Sequence, residues 1–168
     1  MKKDYTKKVV MSSLFAALIC VVTAFVKVPM PLVGYVNLGD ALVLCAGALL
    51  GPMGVVSAMI GSAIADVIAG FAMYVPATAV IKGLMALIVW LFVKKNESVN
   101  MIKFVISAVI AELVMVGGYF VYECYLYDKA AALVSVPYNF IQGAAGLVCG
   151  VLLLLVMNKT KLLKGMKK

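Results

Sequence analysis

The chain has 168 residues, 65% of them apolar and 13% charged, with a mean hydropathy of +1.13. That composition lies outside the range of soluble domains and predicts an integral membrane protein forming one unit over 1–168. The net charge is +8, and its positive charges are all lysine; these lysines cluster at the ends of apolar runs without interleaved aromatics, which argues against a nucleic-acid partner and for a topology signal in a lipid bilayer.

Six transmembrane helices are predicted, Val9 to Val26, Leu38 to Leu50, Val55 to Gly70, Pro76 to Val93, Met101 to Tyr122 and Pro137 to Met157. Pro29 and Pro31 end the first, Gly51-Pro52 the second and Lys94-Lys95-Asn96-Glu97 the fourth. A recurrence of apolar segments to the last quarter of the chain excludes a lone signal peptide. Placing both termini and the loop around Lys94, Lys95 and Lys103 in the cytoplasm leaves only Lys27 and Lys129 in outer connections, at 27–37 and 123–136. The fold class is therefore an all-α bundle with both termini cytoplasmic.

In the first helix, Ser12, Ala16 and Cys20 recur at fourfold spacing with Ser13 and Ala17 beside them. Small residues so spaced let another helix approach closely, either a neighbour in the bundle or a partner subunit. The second span is too short to cross alone, which implies that "PMPLVGYVN" dips into the outer leaflet and lines a wet cavity, or that the helix is longer, tilted and begins near Val33.

Charges inside apolar runs then converge. Asp40 lies eleven residues before Gly51 and Asp66 twelve after Gly54, so in an antiparallel hairpin both rise roughly 16 to 18 Å above the inner turn. Lys82, six residues into a helix starting outside at Pro76, falls roughly 9 Å below that start, within pairing depth of Asp66. An unpaired charge in lipid is expensive, so Asp40, Asp66 and Lys82 are expected to face the interior and one another. "VPYNFIQG" echoes "VPATAVIKG", putting Gln142 and Gly143 near the place of Lys82 and Gly83. Tyr35, Asn37, Tyr74, Tyr138 and Asn139 gather at the outer ends of the same helices, so an outward cavity would offer a small aromatic ligand stacking faces, hydrogen bonds and charge. Glu112 stands apart near the bilayer midplane, as a deeper ligand contact, a proton carrier or a protonated structural donor.

Other chemistries lack their parts. The chain has no histidine, no Gly-x-Ser-x-Gly and no phosphate loop, and Cys20, Cys45, Cys124 and Cys149 have no metal-type spacing, so neither an enzyme nor a cofactor or metal site is expected. Active transport would need separate ATPase subunits.

"GYVNLGDALVLCAGALLGPMGVVSAMIGSAIADVIAG", "YVPATAVIKGLMALI" and "VPYNFIQGAAGLVCG" resemble the substrate-binding S components of energy-coupling-factor (ECF) vitamin transporters, in the riboflavin transporter S component branch. The resemblance implies a six-helix subunit of the plasma membrane of a bacterium. It would capture a vitamin or precursor from outside, dock through the small-residue stripe Ser12, Ala16 and Cys20 on a transmembrane coupling subunit, and be driven by two cytosolic ATPases. Members of the branch are assigned to riboflavin, hydroxymethylpyrimidine and pyridoxine-like compounds. One lysine against three intramembrane acids favours an electron-poor or partly cationic ring, a pyrimidine or pyridoxine type over riboflavin. The rival readings are a solitary proton-coupled transporter working through Glu112 and a structural membrane protein whose charges pin helices together.

Overall fold

The computed structural model describes residues 2–30, 34–93 and 99–159. The Lys94 to Glu97 break, Pro31, Val33 and the lysines from Lys161 onward lie outside the described residues. In chain order the elements are α1 (Lys2–Phe25), β1 (Lys27–Pro29), β2 (Tyr35–Asn37), α2 (Gly39–Leu50), α3 (Pro52–Ala69), a single 3₁₀ turn (Ala72–Tyr74), α4 (Val75–Val93), α5 (Met101–Leu126) and α6 (Lys129–Lys159). Among the described residues, five helical stretches are long and apolar enough to cross a membrane; α2, with 12 residues, is shorter. The protein is thus a mostly helical, multi-pass membrane protein.

A 12-residue helix rises only about 18 Å, and its position explains how it survives. Ten of its residues are buried, and it packs against α1, α3, α4 and α6 at the centre of the bundle. Its N-terminal end meets protein: the Gly39 N–H donates to Asn37 Oδ1 at 2.9 Å. At its C-terminal end Gly51 takes a left-handed φ of 61°, Pro52 opens α3, and the Gly54 and Val55 N–H groups both return to the Gly51 carbonyl. This tight reversal sets α2 and α3 antiparallel, as the Gly-Pro-Met-Gly sequence requires.

Three expectations are corrected. The purely helical reading missed an antiparallel hairpin, in which Lys27 pairs with Asn37, Val28 with Val36 and Pro29 with Tyr35; this pairing satisfies backbone groups that lipid could not. It also rules out a helix continuous from Val33, since α2 begins at Gly39. The outer connection at 123–136 is not a loop: α5 continues to Leu126, and α6 begins at Lys129 and runs through Pro137. Asp128 starts α6 by accepting the Ala131 N–H at 2.8 Å, a cap that makes the earlier beginning stable.

The apolar core is formed by Ile19, Val43, Leu44, Met85, Val89, Phe104 and Met115, all fully buried. Large apolar residues such as Val21, Ile60, Ile102 and Ile141 point outward, as the outer face of a lipid-embedded bundle requires.

Candidate functional site

Four elements bring one residue each to the centre of the polar cluster. Asp40, on α2, is wholly buried and forms an ion pair with Lys82 of α4, itself 1% exposed. From α6, Gln142 Nε2 donates to the second Asp40 oxygen at 2.7 Å, while its Oε1 accepts the Asn37 N–H of β2 at 2.8 Å. The echo between "VPATAVIKG" and "VPYNFIQG" thus has a structural meaning: Lys82 and Gln142 clasp the same carboxylate from two sides. The network also ties the hairpin to the middle of the bundle.

Asp66 does not pair with Lys82 as its depth suggested. The nearer carboxylate, Asp40, takes the lysine, and Asp66 is met from the hairpin by the Tyr35 hydroxyl at 2.6 Å. Burial, then the adjoining Asp66 carboxylate, push the Tyr35 phenol well above its ordinary pKa, so it stays protonated and donates. Asp66 Oδ2 is buried without a hydrogen-bond partner among the described residues. Asp66 is 3% exposed, and the Thr78 hydroxyl acts on its carboxylate beside that of Tyr35.

Above this floor lies a small cavity whose walls include Tyr35, Asn37, Asp66, Tyr74, Lys82, Asn139 and Gln142. Seven of the nine residues that the sequence gathers here therefore line it, and Asp40 sits beneath it as the counter-ion of Lys82. Tyr138, at a half-buried position, is not part of the lining. Aromatic faces are plentiful: Tyr35 stacks obliquely on Phe71 at 4.9 Å, Tyr74 lies 6.3 Å from Tyr119, and the Lys82 ammonium stands 5.4 Å from the Tyr119 ring centre. The enclosed space is about 20 Å³, room for one water.

Sequence reasoning missed Thr23, Thr78, Tyr119 and Glu123 in this lining. Glu123 is the most consequential. It is 1% exposed and accepts hydrogen bonds from Tyr74 at 3.2 Å and from Ser135. A signal existed: Glu112, Met115, Tyr119 and Glu123 follow helical spacing along one face, which continues past the expected end at Tyr122. Glu112 itself lies deeper, 6% exposed, with both oxygens unpartnered among the described residues.

The small-residue stripe of α1 is divided between two environments. Ser12 is buried against α3, its hydroxyl 2.6 Å from that of Ser57 and 2.9 Å from the Met53 carbonyl. Ala16 and Cys20 are half-buried and Ser13 and Ala17 exposed; all five line an open groove of about 480 Å³ between α1 and α3. Among the described residues no cluster of three or more His, Cys, Asp or Glu side chains could hold a metal.

The comparisons with known proteins agree with this architecture. An uncharacterized protein in the gap 3′ region of Pyrococcus woesei is 33% identical over 134 residues, 79% of this chain and 88% of the relative. The solved S component of a bacterial ECF transporter shares the fold with a TM-score of 0.68 at 21% identity, over 93% of this chain and 98% of that one. The family model for the S component of ECF-type riboflavin transporters matches residues 3–159. With nearly its whole length inside that model, the chain belongs to the ECF-type riboflavin transporter S component family.

Proposed function

We propose that this chain is the substrate-capture subunit of an ECF-type importer, taking a small heteroaromatic vitamin or precursor from outside the cell. It does so with six membrane-crossing helices, both termini in the cytoplasm, and no catalysis of its own. The observation that carries the reading is the cavity at the outer ends of α3, α4 and α6, where the Asp66 carboxylate stands among three tyrosines. A ligand with a ring and a donor edge satisfies both features, and a pyridoxine- or hydroxymethylpyrimidine-like compound fits better than riboflavin because the site is compact and rich in acids. Tyr35, Asn37, Asp66, Tyr74, Lys82, Asn139 and Gln142 contact the ligand, with Asp40 holding Lys82 and Gln142 in place. Since the closed cavity has room for one water, entry requires the β1–β2 hairpin carrying Tyr35 to move.

The exposed parts of the α1–α3 groove, with Ala16, Cys20 and the edge of Ser12, receive the transmembrane coupling subunit, and two cytosolic ATPases supply the work, in the plasma membrane of a bacterium. Uptake of labelled pyridoxine, hydroxymethylpyrimidine and riboflavin into proteoliposomes tests this. Transport of one of them only when coupling subunit and ATPases are co-reconstituted supports the reading; transport by the chain alone under a pH gradient supports the solitary carrier instead.

A further inference from the structure

Glu123 is a buried acid in the cavity wall, lying in the last turn of α5. Since α4 packs between α3 and α5, Asp66 and Glu123 approach the cavity from the two flanks of α4. Each acid is met by a tyrosine hydroxyl, Asp66 by Tyr35 at 2.6 Å and Glu123 by Tyr74 at 3.2 Å. The Phe71 ring lies between the two tyrosines, its centre 4.9 Å from that of Tyr35 and 6.2 Å from that of Tyr74. The acids therefore stand at separate ends of one aromatic row.

The two ends are not equally filled. The Tyr35 contact is a full hydrogen bond, whereas 3.2 Å exceeds the ordinary O–H···O range and leaves Glu123 Oε1 weakly held. The other oxygen accepts the Ser135 hydroxyl of α6, a contact that by itself pins α5 to α6. Among the described residues both donors are neutral hydroxyls and no cation pairs with this acid. Two oxygens offer about four acceptor sites, so two contacts leave capacity for a further donor. The hairpin covers both ends: Tyr35 belongs to β2, and at Gly34, with φ 59°, a Cβ would stand 3.4 Å from the Tyr74 phenol oxygen. The hairpin motion that capture requires therefore withdraws Tyr35 from Asp66 and uncovers the Tyr74–Glu123 contact in one step.

We propose that Glu123 is a second ligand anchor, and that with Asp66 it selects a ring whose hydrogen-bond donors occupy non-adjacent positions. The inference rests on the capture reading and narrows it. The 3-hydroxyl and 5-hydroxymethyl groups of pyridoxine are separated in this way, whereas the amino and hydroxymethyl groups of hydroxymethylpyrimidine are neighbours. One donor goes to Asp66 in place of Tyr35, the other to Glu123 Oε1 in place of Tyr74.

Calorimetric titration of the protein in mild detergent with pyridoxine, 3-deoxypyridoxine and 5-deoxypyridoxine tests this, with hydroxymethylpyrimidine and riboflavin alongside. In the wild type each deoxy compound is expected to bind about ten- to a hundredfold more weakly than pyridoxine, the usual cost of leaving a buried acceptor unmet. In Glu123→Ala one of these two penalties disappears, and in Asp66→Ala the other. Thermal unfolding checks that the variants are folded; should Glu123→Ala not be, Glu123→Gln, which keeps the shape and turns one acceptor into a donor, is read in the same way. Both penalties intact in the Glu123 variant overturn the second anchor and leave the capture reading standing, as does a wild type that binds hydroxymethylpyrimidine or riboflavin in place of pyridoxine. A wild type that binds none of these compounds overturns the capture reading as well.

Discussion

The Asp40–Lys82 pair is the feature whose removal should be most costly. Both side chains are essentially inaccessible, and among the described residues Asp40 has only Gln142 as a further hydrogen-bond donor. Replacing Lys82 by Met leaves a buried carboxylate with one neutral partner, and breaking a buried pair on one side typically costs about 3–5 kcal/mol. At about 1.4 kcal/mol per factor of ten, that is a loss of roughly a hundred- to several-thousandfold in the folded-to-unfolded ratio. Asp40→Leu should be comparably harmful, because it strands a lysine that is 1% exposed. The double variant Asp40→Leu/Lys82→Met removes both charges and should recover most of the loss, since apolar replacement of a buried pair is often neutral or favourable. Thermal unfolding in mild detergent, followed by the fluorescence of the single tryptophan, Trp90, measures all four proteins. Additive losses in the double variant, or single variants as stable as the wild type, would refute the claim that these residues compensate each other. The double variant also separates roles: a pair kept only to pin helices is dispensable, whereas a pair that shapes a binding floor leaves a stable protein without ligand.

Other predictions follow from single contacts. Tyr35→Phe removes the hydroxyl that meets Asp66 Oδ1 and should lower stability by about 1–3 kcal/mol, read by the same unfolding assay; an unchanged midpoint contradicts the contact. Asp128→Ala removes the cap of α6 and should cost about 1 kcal/mol while leaving ligand binding intact, since Asp128 is not among the residues lining the cavity. Gly146→Ala places a methyl group 2.8 Å from both Asp40 and Glu112 and should cost about 1–3 kcal/mol by overpacking; Gly117→Ala, where a methyl meets nothing within 4 Å, is its control. Ala17→Leu, on the exposed side of the α1–α3 groove, should abolish co-purification with the coupling subunit at unchanged thermal stability.

Hydropathy and lysine placement made the long helices legible because both reflect the lipid solvent directly. Depth arithmetic likewise placed Asp40, Asp66 and Lys82 in one layer, but could not tell which acid takes the lysine. That choice depends on rotation about the helix axes and on Tyr35, which reaches Asp66 from a hairpin. The hairpin was hidden because three-residue strands broken by prolines carry no alternating pattern long enough to register. Glu123 was missed through an early stop at Tyr122: the run "YECYLYD" looks like a surface loop by composition, yet its inward face continues the spacing of Glu112 and Tyr119. Pro137 misled in the opposite direction, since proline usually opens a helix and here is carried within one begun by Asp128.

The central claim, that the outward cavity holds a small heteroaromatic ligand, is tested most directly by what the protein carries. The wild type and an Asp66→Ala/Lys82→Ala variant are purified in mild detergent and denatured, and the released small molecules are identified by mass spectrometry. The account predicts a stoichiometric ring compound from the wild type and none from the variant. No ligand from the wild type, or equal amounts from both proteins, would contradict it.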